Sequence, residues 1–221
     1  MIDWVPLLLS FRVAALASLI ALILGVSLAA LFAAVRVPGR DLLDAIVAAP
    51  MVLPPTVLGY YVLVGLGRQS VIGRAYERAV GEPIVFTATG AVVAATIGAL
   101  PLVMKSARAA MEEVDPRLMA AARSLGAGPL RAFLTVMLPL SRTGIIAGFA
   151  LGFARALGDF GVTLMVAGNI PGVTRTASLA IYDMVQANRE REATGVVLVM
   201  TALSIAALYA VNRLARKERH V

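Results

Sequence analysis

The strongest constraint on this chain is a set of five long apolar stretches. A helix needs about 20 mostly apolar residues to cross roughly 30 Å of hydrocarbon. The stretches that meet this length are residues 13–35, 42–66, 84–104, 144–166 and 193–215. The chain is 60% hydrophobic and 15% charged, whereas soluble domains are about 45–50% apolar and ~25% charged. The sequence therefore predicts an all-α membrane protein: a polytopic bundle of five transmembrane helices, or six if a further short span lies near the N-terminus.

The residue types that build many catalytic and metal centres are scarce. The chain has no cysteine, and its only histidine is His220. A zinc finger needs several Cys or His ligands, and a Cys–His nucleophile needs a cysteine. A Ser-His-Asp triad needs a histidine inside the fold, not next to the C-terminus. We therefore expect no metal, no cofactor and no disulfide.

The basic residues indicate an orientation in the membrane. Residues 1–12 are predicted to form an outer interfacial segment, because Trp4 prefers the headgroup level and Arg12 can extend to the same surface. With the N-terminus outside, the inner segments hold 12 Lys and Arg residues and the outer segments hold six. Cytoplasmic loops collect basic residues, so we expect the C-terminus, with a basic tail over 216–221, to be cytoplasmic. The net charge of +7 then reflects topology, and we expect no nucleic-acid partner.

The predicted inner loop, residues 105–142, has the pattern of two short helices. Acidic residues precede Pro116, which suits the first turn of a helix, and Gly126 is typical of a helix C-terminus. After a Gly-Pro turn, a second helix is predicted over 130–138 and ends at Pro139. The pair forms either a hairpin lying on the membrane surface or a rigid element that docks to a partner.

The second span contains three prolines, Pro50, Pro54 and Pro55. Each lacks an N–H donor and clashes with the preceding turn, so the helix must kink or open. Transporters often place broken helices at the substrate path, where protein or water satisfies the freed carbonyls. Pro54, Pro55 and Thr56 therefore form either a static packing kink or a hinge or lining of a translocation path.

The fourth span contains Gly144, Gly148 and Gly152 at GxxxG spacing. This pattern predicts close helix packing within the chain, or else a subunit interface or a pore-lining face. Arg155 and Asp159 follow at positions i and i+4 and share a helix face. Charges within a membrane usually pair and face the protein interior, so this pair either holds two helices together or acts as a gate.

The inner loop resembles the "EAA" loop of ABC-importer permeases. Ala121-Ala122, Gly126, Val136 and Leu138-Pro139 occur at that family's spacing, although Ala120 replaces the family's leading Glu. The resemblance implies a coupling helix that sits in a groove of an ATPase subunit, without any salt bridge from that Glu. The residues implied in coupling are Ala121, Ala122, Arg123, Ser124, Leu125, Gly126, Ala127, Gly128, Leu138 and Pro139.

Four segments resemble molybdate permease subunits in particular. Residues 53–60 are similar to their "LPPxVxGY" segment, residues 122–128 to their version of the loop, and residues 168–176 to their "NIPGxTRT" outer loop. Residues 153–161 are similar to "FARxLGEFG", with Asp159 in place of Glu. The resemblance implies a type I ABC importer transmembrane fold over 13–215, in the bacterial cytoplasmic membrane. It also implies molybdate as the substrate, with tungstate or sulfate as alternatives.

The resemblance further implies two copies of an ATPase subunit and a periplasmic or extracellular molybdate-binding protein as partners. The only Lys-Ser pair, Lys105-Ser106, follows Met104 where a phosphate-binding loop needs Gly. We therefore expect no enzyme activity in this chain. Five spans are few for enclosing a path, which favours a homodimer. An ion-gradient-driven secondary transporter would instead predict paired midplane carboxylates and an inverted repeat, and a structural membrane protein leaves the spaced inner loop unexplained.

Overall fold

The computed structural model describes residues 3–34 and 39–217, and this part of the chain is helical with short connections. The α-helices are α1 (Trp4–Ala34), α2 (Arg40–Val52), α3 (Pro55–Leu66), α4 (Val71–Val80), α5 (Ala88–Glu112), α6 (Pro116–Ser124), α7 (Pro129–Ala132), α8 (Leu138–Leu157), α9 (Gly161–Ala167), α10 (Ala177–Gln186) and α11 (Glu190–Lys217). One π-helical turn, Phe133–Met137, joins α7 to α8. The predicted end of the first span at Val35 and residues 218–221 of the predicted tail, including His220, lie outside the described residues.

The all-α prediction is confirmed. Within the described residues, four helical segments are long and apolar enough to span a membrane, and a fifth span results if α2 and α3, which meet at 116°, form one interrupted crossing. The predicted spans differ from the observed helices mainly at their ends. Two of them, the second and the fourth, are broken within the predicted range.

The first helix begins at Trp4, nine residues before the predicted span. The Asp3 carboxylate accepts a hydrogen bond of 3.0 Å from the backbone N–H of Val5, as a residue ahead of a helix start commonly does. Leu7 and Ser10 are buried, and Leu7 packs with Ala177 and Val196. Helix α1 therefore runs through the predicted boundary at residue 12, and one side of residues 4–12 packs against other helices.

Helix α5 is the centre of the fold and packs against α1, α2, α8 and α9. It continues to Glu112, so the prediction that the inner loop begins at residue 105 is wrong. Ala107 and Met111 are buried beside Ala29 and Phe32 of α1, and this packing extends the helix past the end of the apolar run. The apolar run in a sequence does not show where a helix ends when packing against other helices extends it.

The prediction that Pro139 ends a short helix is also wrong. The helix that begins at Pro129 continues to Leu157 and is long and apolar enough to span a membrane. The π turn over Phe133–Met137 lies directly before α8, in which Pro139 is the second residue. Proline is tolerated in the first turn of a helix, and single π turns occur inside longer helices.

Candidate functional site

The second span is interrupted at its proline pair. Helix α2 ends at Val52, and Leu53 and Pro54 are extended, with φ/ψ of −66°/138° and −53°/136°. The residue before a proline disfavours the α-helical conformation, which accounts for the break at this dipeptide. Pro55 then starts α3. The predicted break is thus confirmed at Pro54 and Pro55, whereas Pro50 lies inside α2. Pro54, Pro55 and Thr56 are all exposed.

A second break separates α8 from α9 and holds Asp159. This residue is 4% exposed. Its Oδ1 accepts a 2.8 Å hydrogen bond from Nη1 of Arg155. Its Oδ2 accepts from both the backbone N–H and the hydroxyl of Thr163, at 3.0 and 2.6 Å. A buried carboxylate is tolerated when it is paired and hydrogen-bonded in this way. Asp159 therefore joins the end of α8 to the beginning of α9.

Thr163 is a member of this cluster that the sequence interpretation missed. The available signal was an acidic residue shortly before a short apolar helix with a hydroxyl residue four positions later, which suits capping. Because the fourth span was treated as one continuous helix, that signal was not recognised. The side chain of Arg155 is 32% exposed and that of Asp159 is 2% exposed, so the cation is the more accessible member of the pair.

The two breaks lie against each other. A β-carbon built on Gly161 would be 2.7 Å from Cβ of Pro55, and one built on Gly59 would be 2.7 Å from Cβ of Met165. Helices α3 and α9 therefore run side by side from their breaks. Next to them, the Arg155 guanidinium lies over Gly98 of α5, where a built β-carbon would be 3.4 Å from Nη2. The structure thus joins two sites that were predicted separately.

The predicted coupling segment is well formed and largely exposed. Asp115 caps α6 by accepting a 2.8 Å hydrogen bond from the N–H of Arg117. At the other end, Gly126 has φ +86°, and the N–H of Ala127 donates to the carbonyl of Ala122 at 3.0 Å. This is the hydrogen-bond pattern of a Schellman C-cap. Leu125 is 89% exposed. The remaining exposed positions of the segment are Ala121, Arg123, Ser124, Gly126, Gly128 and Pro139, and the half-buried ones are Ala122, Ala127 and Leu138.

The three glycines of α8 face α5 within the chain. Built β-carbons would be 2.4 Å from Cβ of Ala110 at Gly144, 2.8 Å from Cβ of Ser106 at Gly148, and 2.7 Å from Cγ2 of Val103 at Gly152. Real β-carbons do not come this close to other atoms, so only glycine permits the observed helix separation. The sequence left open whether these glycines pack within the chain, form a subunit interface or line a pore. Their contacts with α5 favour packing within the chain.

The outer-loop motif is fixed by polar contacts. Nδ2 of Asn169 donates to Asp183 at 2.8 Å, while Nε of Arg175 donates to Oδ1 of Asn169 at 2.9 Å and its Nη2 pairs with Asp183 at 2.9 Å. The loop is joined to α1 as well, because the N–H of Ala177 donates to Oγ of Ser10 at 2.7 Å. The loop after α9 is therefore a braced element.

Comparison with known proteins defines the class to which this fold and these sites belong. The family described as "binding-protein-dependent transport system inner membrane component" matches residues 6–219, and the chain belongs to this family of membrane permeases. It is 42% identical over 218 residues to the molybdenum transport system permease protein ModB of Escherichia coli strain K12, covering 98% of this chain and 95% of that one. ModB of Azotobacter vinelandii is 37% identical over 96% of this chain and 95% of its own length. The predicted membership of the molybdate permease group is confirmed.

Three further proteins, one relative by sequence and two solved structures, extend this result. The sulfate transport system permease protein CysT of Salmonella typhimurium strain LT2 is 32% identical over 93% of this chain and 75% of its own. A bacterial ABC transporter involved in the import of alginate has the same fold, with a TM-score of 0.76 at 15% identity over 96% of this chain and 78% of its own. The MetNI methionine ABC transporter matches with a TM-score of 0.69 at 19% identity, over 97% and 93%. The predicted type I importer fold is confirmed.

Proposed function

We propose that this chain is the membrane permease subunit of an ABC importer for molybdate. The observation that carries the proposal is the 42% identity to a molybdenum transport permease along 98% of the chain. The sulfate permease relative is more distant, at 32%. The chain supplies the translocation path and couples it to ATP hydrolysis by a partner subunit, so none of its own residues is catalytic.

The path passes the two adjacent breaks, with Pro54, Pro55 and Thr56 on one side and Arg155 and Asp159 on the other. Asp159 is held by three donors from two residues, whereas Arg155 has one carboxylate partner among the described residues and a side chain that is 32% exposed. Arg155 is therefore the mobile member of the pair. A tetrahedral dianion competes for its guanidinium, whose planar array of donors suits oxyanions. Release of Arg155 from Asp159 then opens the gate.

The coupling segment, residues 121–128, docks in a groove of the ATPase subunit. Its support is its exposure and its rigid C-cap at Gly126, with the apolar side chain of Leu125 at the tip. Two copies of this chain form a two-fold pair with two coupling segments, two ATPase subunits bind on the cytoplasmic side, and a molybdate-binding protein docks outside. This arrangement places the N-terminus outside the cytoplasmic membrane and the C-terminus inside.

The cycle is one of alternating access. ATP binding closes the two ATPase subunits, and the coupling segments move with them, so that the spans tilt outward and accept the anion from the binding protein. Hydrolysis resets the inward-facing state. Binding energy can shift such an equilibrium only through differential contacts with the two states, and here the docked coupling segments supply those contacts.

The test is ATP-driven uptake in proteoliposomes that contain this chain, its ATPase and its binding protein. We expect molybdate to be taken up in preference to sulfate, with tungstate as the close competitor. Preferred uptake of sulfate would overturn the substrate assignment, and uptake that needs an ion gradient but no ATP would overturn the class. For the gate, we expect the complex that contains the Asp159→Asn variant to hydrolyse ATP while it takes up less molybdate, and normal transport by this complex would contradict that role.

A further inference from the structure

Four ionic side chains connect α2 to the end of α5 that leads into the coupling segment. Arg108 of α5 donates through Nε to Glu112 at 2.8 Å and through Nη1 to Asp44 of α2 at 3.3 Å. Arg40 of α2 donates to the same Glu112 oxygen at 3.4 Å. Two of these three contacts cross between the helices, and the four formal charges sum to zero. We call these residues the α2–α5 network.

The network lies between the coupling segment and the proline break. Glu112 is the last residue of α5, and α6 begins at Pro116. On the other side, α2 runs from Arg40 to Val52 and ends directly at the break. Apolar packing supports the same connection, because Val47 of α2 packs against a cluster that contains Met104 and Met111 of α5.

The exposure of these side chains indicates what the network does. The exposed fraction is 24% for the Arg108 side chain, 33% for Asp44, 32% for Arg40 and 53% for Glu112. Ion pairs with this much solvent access contribute little to folding stability. Their attraction also falls off gradually with distance, so they can persist while two helices shift, unlike the close glycine contacts between α8 and α5.

We propose that the α2–α5 network transmits movement of the coupling segment to α2, and through α2 to the break at Pro54. Asp44, Arg108, Glu112 and Arg40 are positioning residues that touch neither the transported anion nor the ATPase. This proposal rests on the proposed function, since it assumes that a docked ATPase moves α6. Through the network, movement of the coupling segment reaches the Pro54 side of the translocation path, which lies opposite the side formed by Arg155 and Asp159.

The experiment follows the break directly, which the natural absence of cysteine makes possible. A Thr56→Cys variant is reconstituted with its ATPase, and its rate of labelling by a membrane-impermeant maleimide is measured with and without ATP. Asp44→Asn and Glu112→Gln are added singly and together, and Asp44→Glu serves as the matched variant that keeps the charge. Glu192→Gln, which removes a carboxylate from the exposed Arg189–Glu192 pair, is the control elsewhere in the chain.

We expect the ATP-dependent change in labelling to fall by about fivefold or more in Asp44→Asn/Glu112→Gln, the range of a typical coupling free energy. ATP hydrolysis and ATPase affinity should remain near their original values, and Asp44→Glu and Glu192→Gln should respond as the parent does. An unchanged labelling response in the double variant would overturn the proposal, and so would a proportional loss of hydrolysis and labelling. If the labelling of the Thr56→Cys parent responds to ATP and the chain with its natural Thr56 imports no molybdate, the proposed substrate is contradicted and the network remains supported.

Discussion

Gly161 lies directly against Pro55, so the two interrupted spans touch at the residues that start α9 and α3. A β-carbon built on Gly161 would be 2.7 Å from Cβ of Pro55, closer than real β-carbons come to other atoms. The proline pair and the charged pair are therefore parts of one structural unit. A change in the position of either break must be accommodated by the other.

We expect Gly161→Ala to separate the two breaks and destabilise the protein by about 1–3 kcal/mol, the usual result of overpacking. The measurement is thermal unfolding in detergent, together with uptake. Gly158→Ala is the matched control, because Gly158 lies on the other side of Asp159, has φ −91°, and its built β-carbon meets only the Ala154 carbonyl at 3.6 Å. Equal stability of the two variants would contradict the close contact.

We expect Thr163→Val to destabilise the Asp159 cluster by about 1–3 kcal/mol, because a buried carboxylate oxygen loses one of its donors. Valine keeps the shape of threonine but cannot replace the 2.6 Å hydroxyl contact to Oδ2. Thr163→Ser retains the hydroxyl and should remain close to the parent in thermal unfolding. If Thr163→Ser lowers the unfolding temperature and Thr163→Val does not, packing of the methyl group would be the important contact instead.

The sequence predicted the main features of these sites because their causes are local. Pro54 and Pro55 restrict their own backbone and that of Leu53, so a break at this point follows from covalent geometry. The pairing of Arg155 with Asp159 follows from their spacing of four residues. Likewise, the end of the coupling helix at Gly126 reflects a left-handed conformation that glycine adopts readily.

The remaining features depend on packing between distant parts of the chain. The contact between Pro55 and Gly161 joins elements more than 100 residues apart, and periodicity cannot indicate it. The π turn before Pro139 lets a helix continue where the local rule predicts an end, and burial of Met111 extends α5 beyond its apolar run. Each of these differences arises where tertiary contacts outweigh a local preference.

We expect Gly148→Ala to lower stability more than an ordinary glycine substitution in a helix. Its built β-carbon would be 2.8 Å from Cβ of Ser106 and 3.2 Å from the Val103 carbonyl, so α8 must move away from α5 at a cost of about 1–3 kcal/mol. Gly65→Ala in α3 is the control, because nothing lies within 4 Å of its built β-carbon. That control should be neutral or slightly stabilising, by up to ~1 kcal/mol, when unfolding is followed by circular dichroism.

Ser10→Ala should loosen the braced outer loop. Ser10 is 3% exposed, and its hydroxyl accepts the N–H of Ala177 at 2.7 Å. Removal of the hydroxyl leaves a buried donor unsatisfied at a cost of about 1–3 kcal/mol. Ser27→Ala removes a hydroxyl that bonds only to its own helix, at Ile23, and should have little effect. Faster backbone hydrogen exchange over residues 168–177 in Ser10→Ala alone is the expected result, and unchanged exchange would contradict the brace.

Gly126→Ala tests whether the shape of the coupling segment matters for docking. Gly126 and Gly128 both have open space around a built β-carbon, but Gly126 has φ +86° and Gly128 has φ −63°. Alanine in the left-handed conformation costs about 1–2 kcal/mol, so Gly126→Ala should unwind the C-cap that orients Leu125. Gly128→Ala should be tolerated, because its backbone conformation is open to any residue.

The measurement for this pair is the affinity of the detergent-solubilised chain for its ATPase subunit. We expect Gly126→Ala to bind about tenfold more weakly, which corresponds to ~1.4 kcal/mol, while its unfolding temperature changes little because the segment is exposed. Gly128→Ala should bind as the parent does. Equal binding by both variants would mean that the ATPase recognises the side chains of the segment without requiring its left-handed turn, and the docking role assigned to the Gly126 cap would then be wrong.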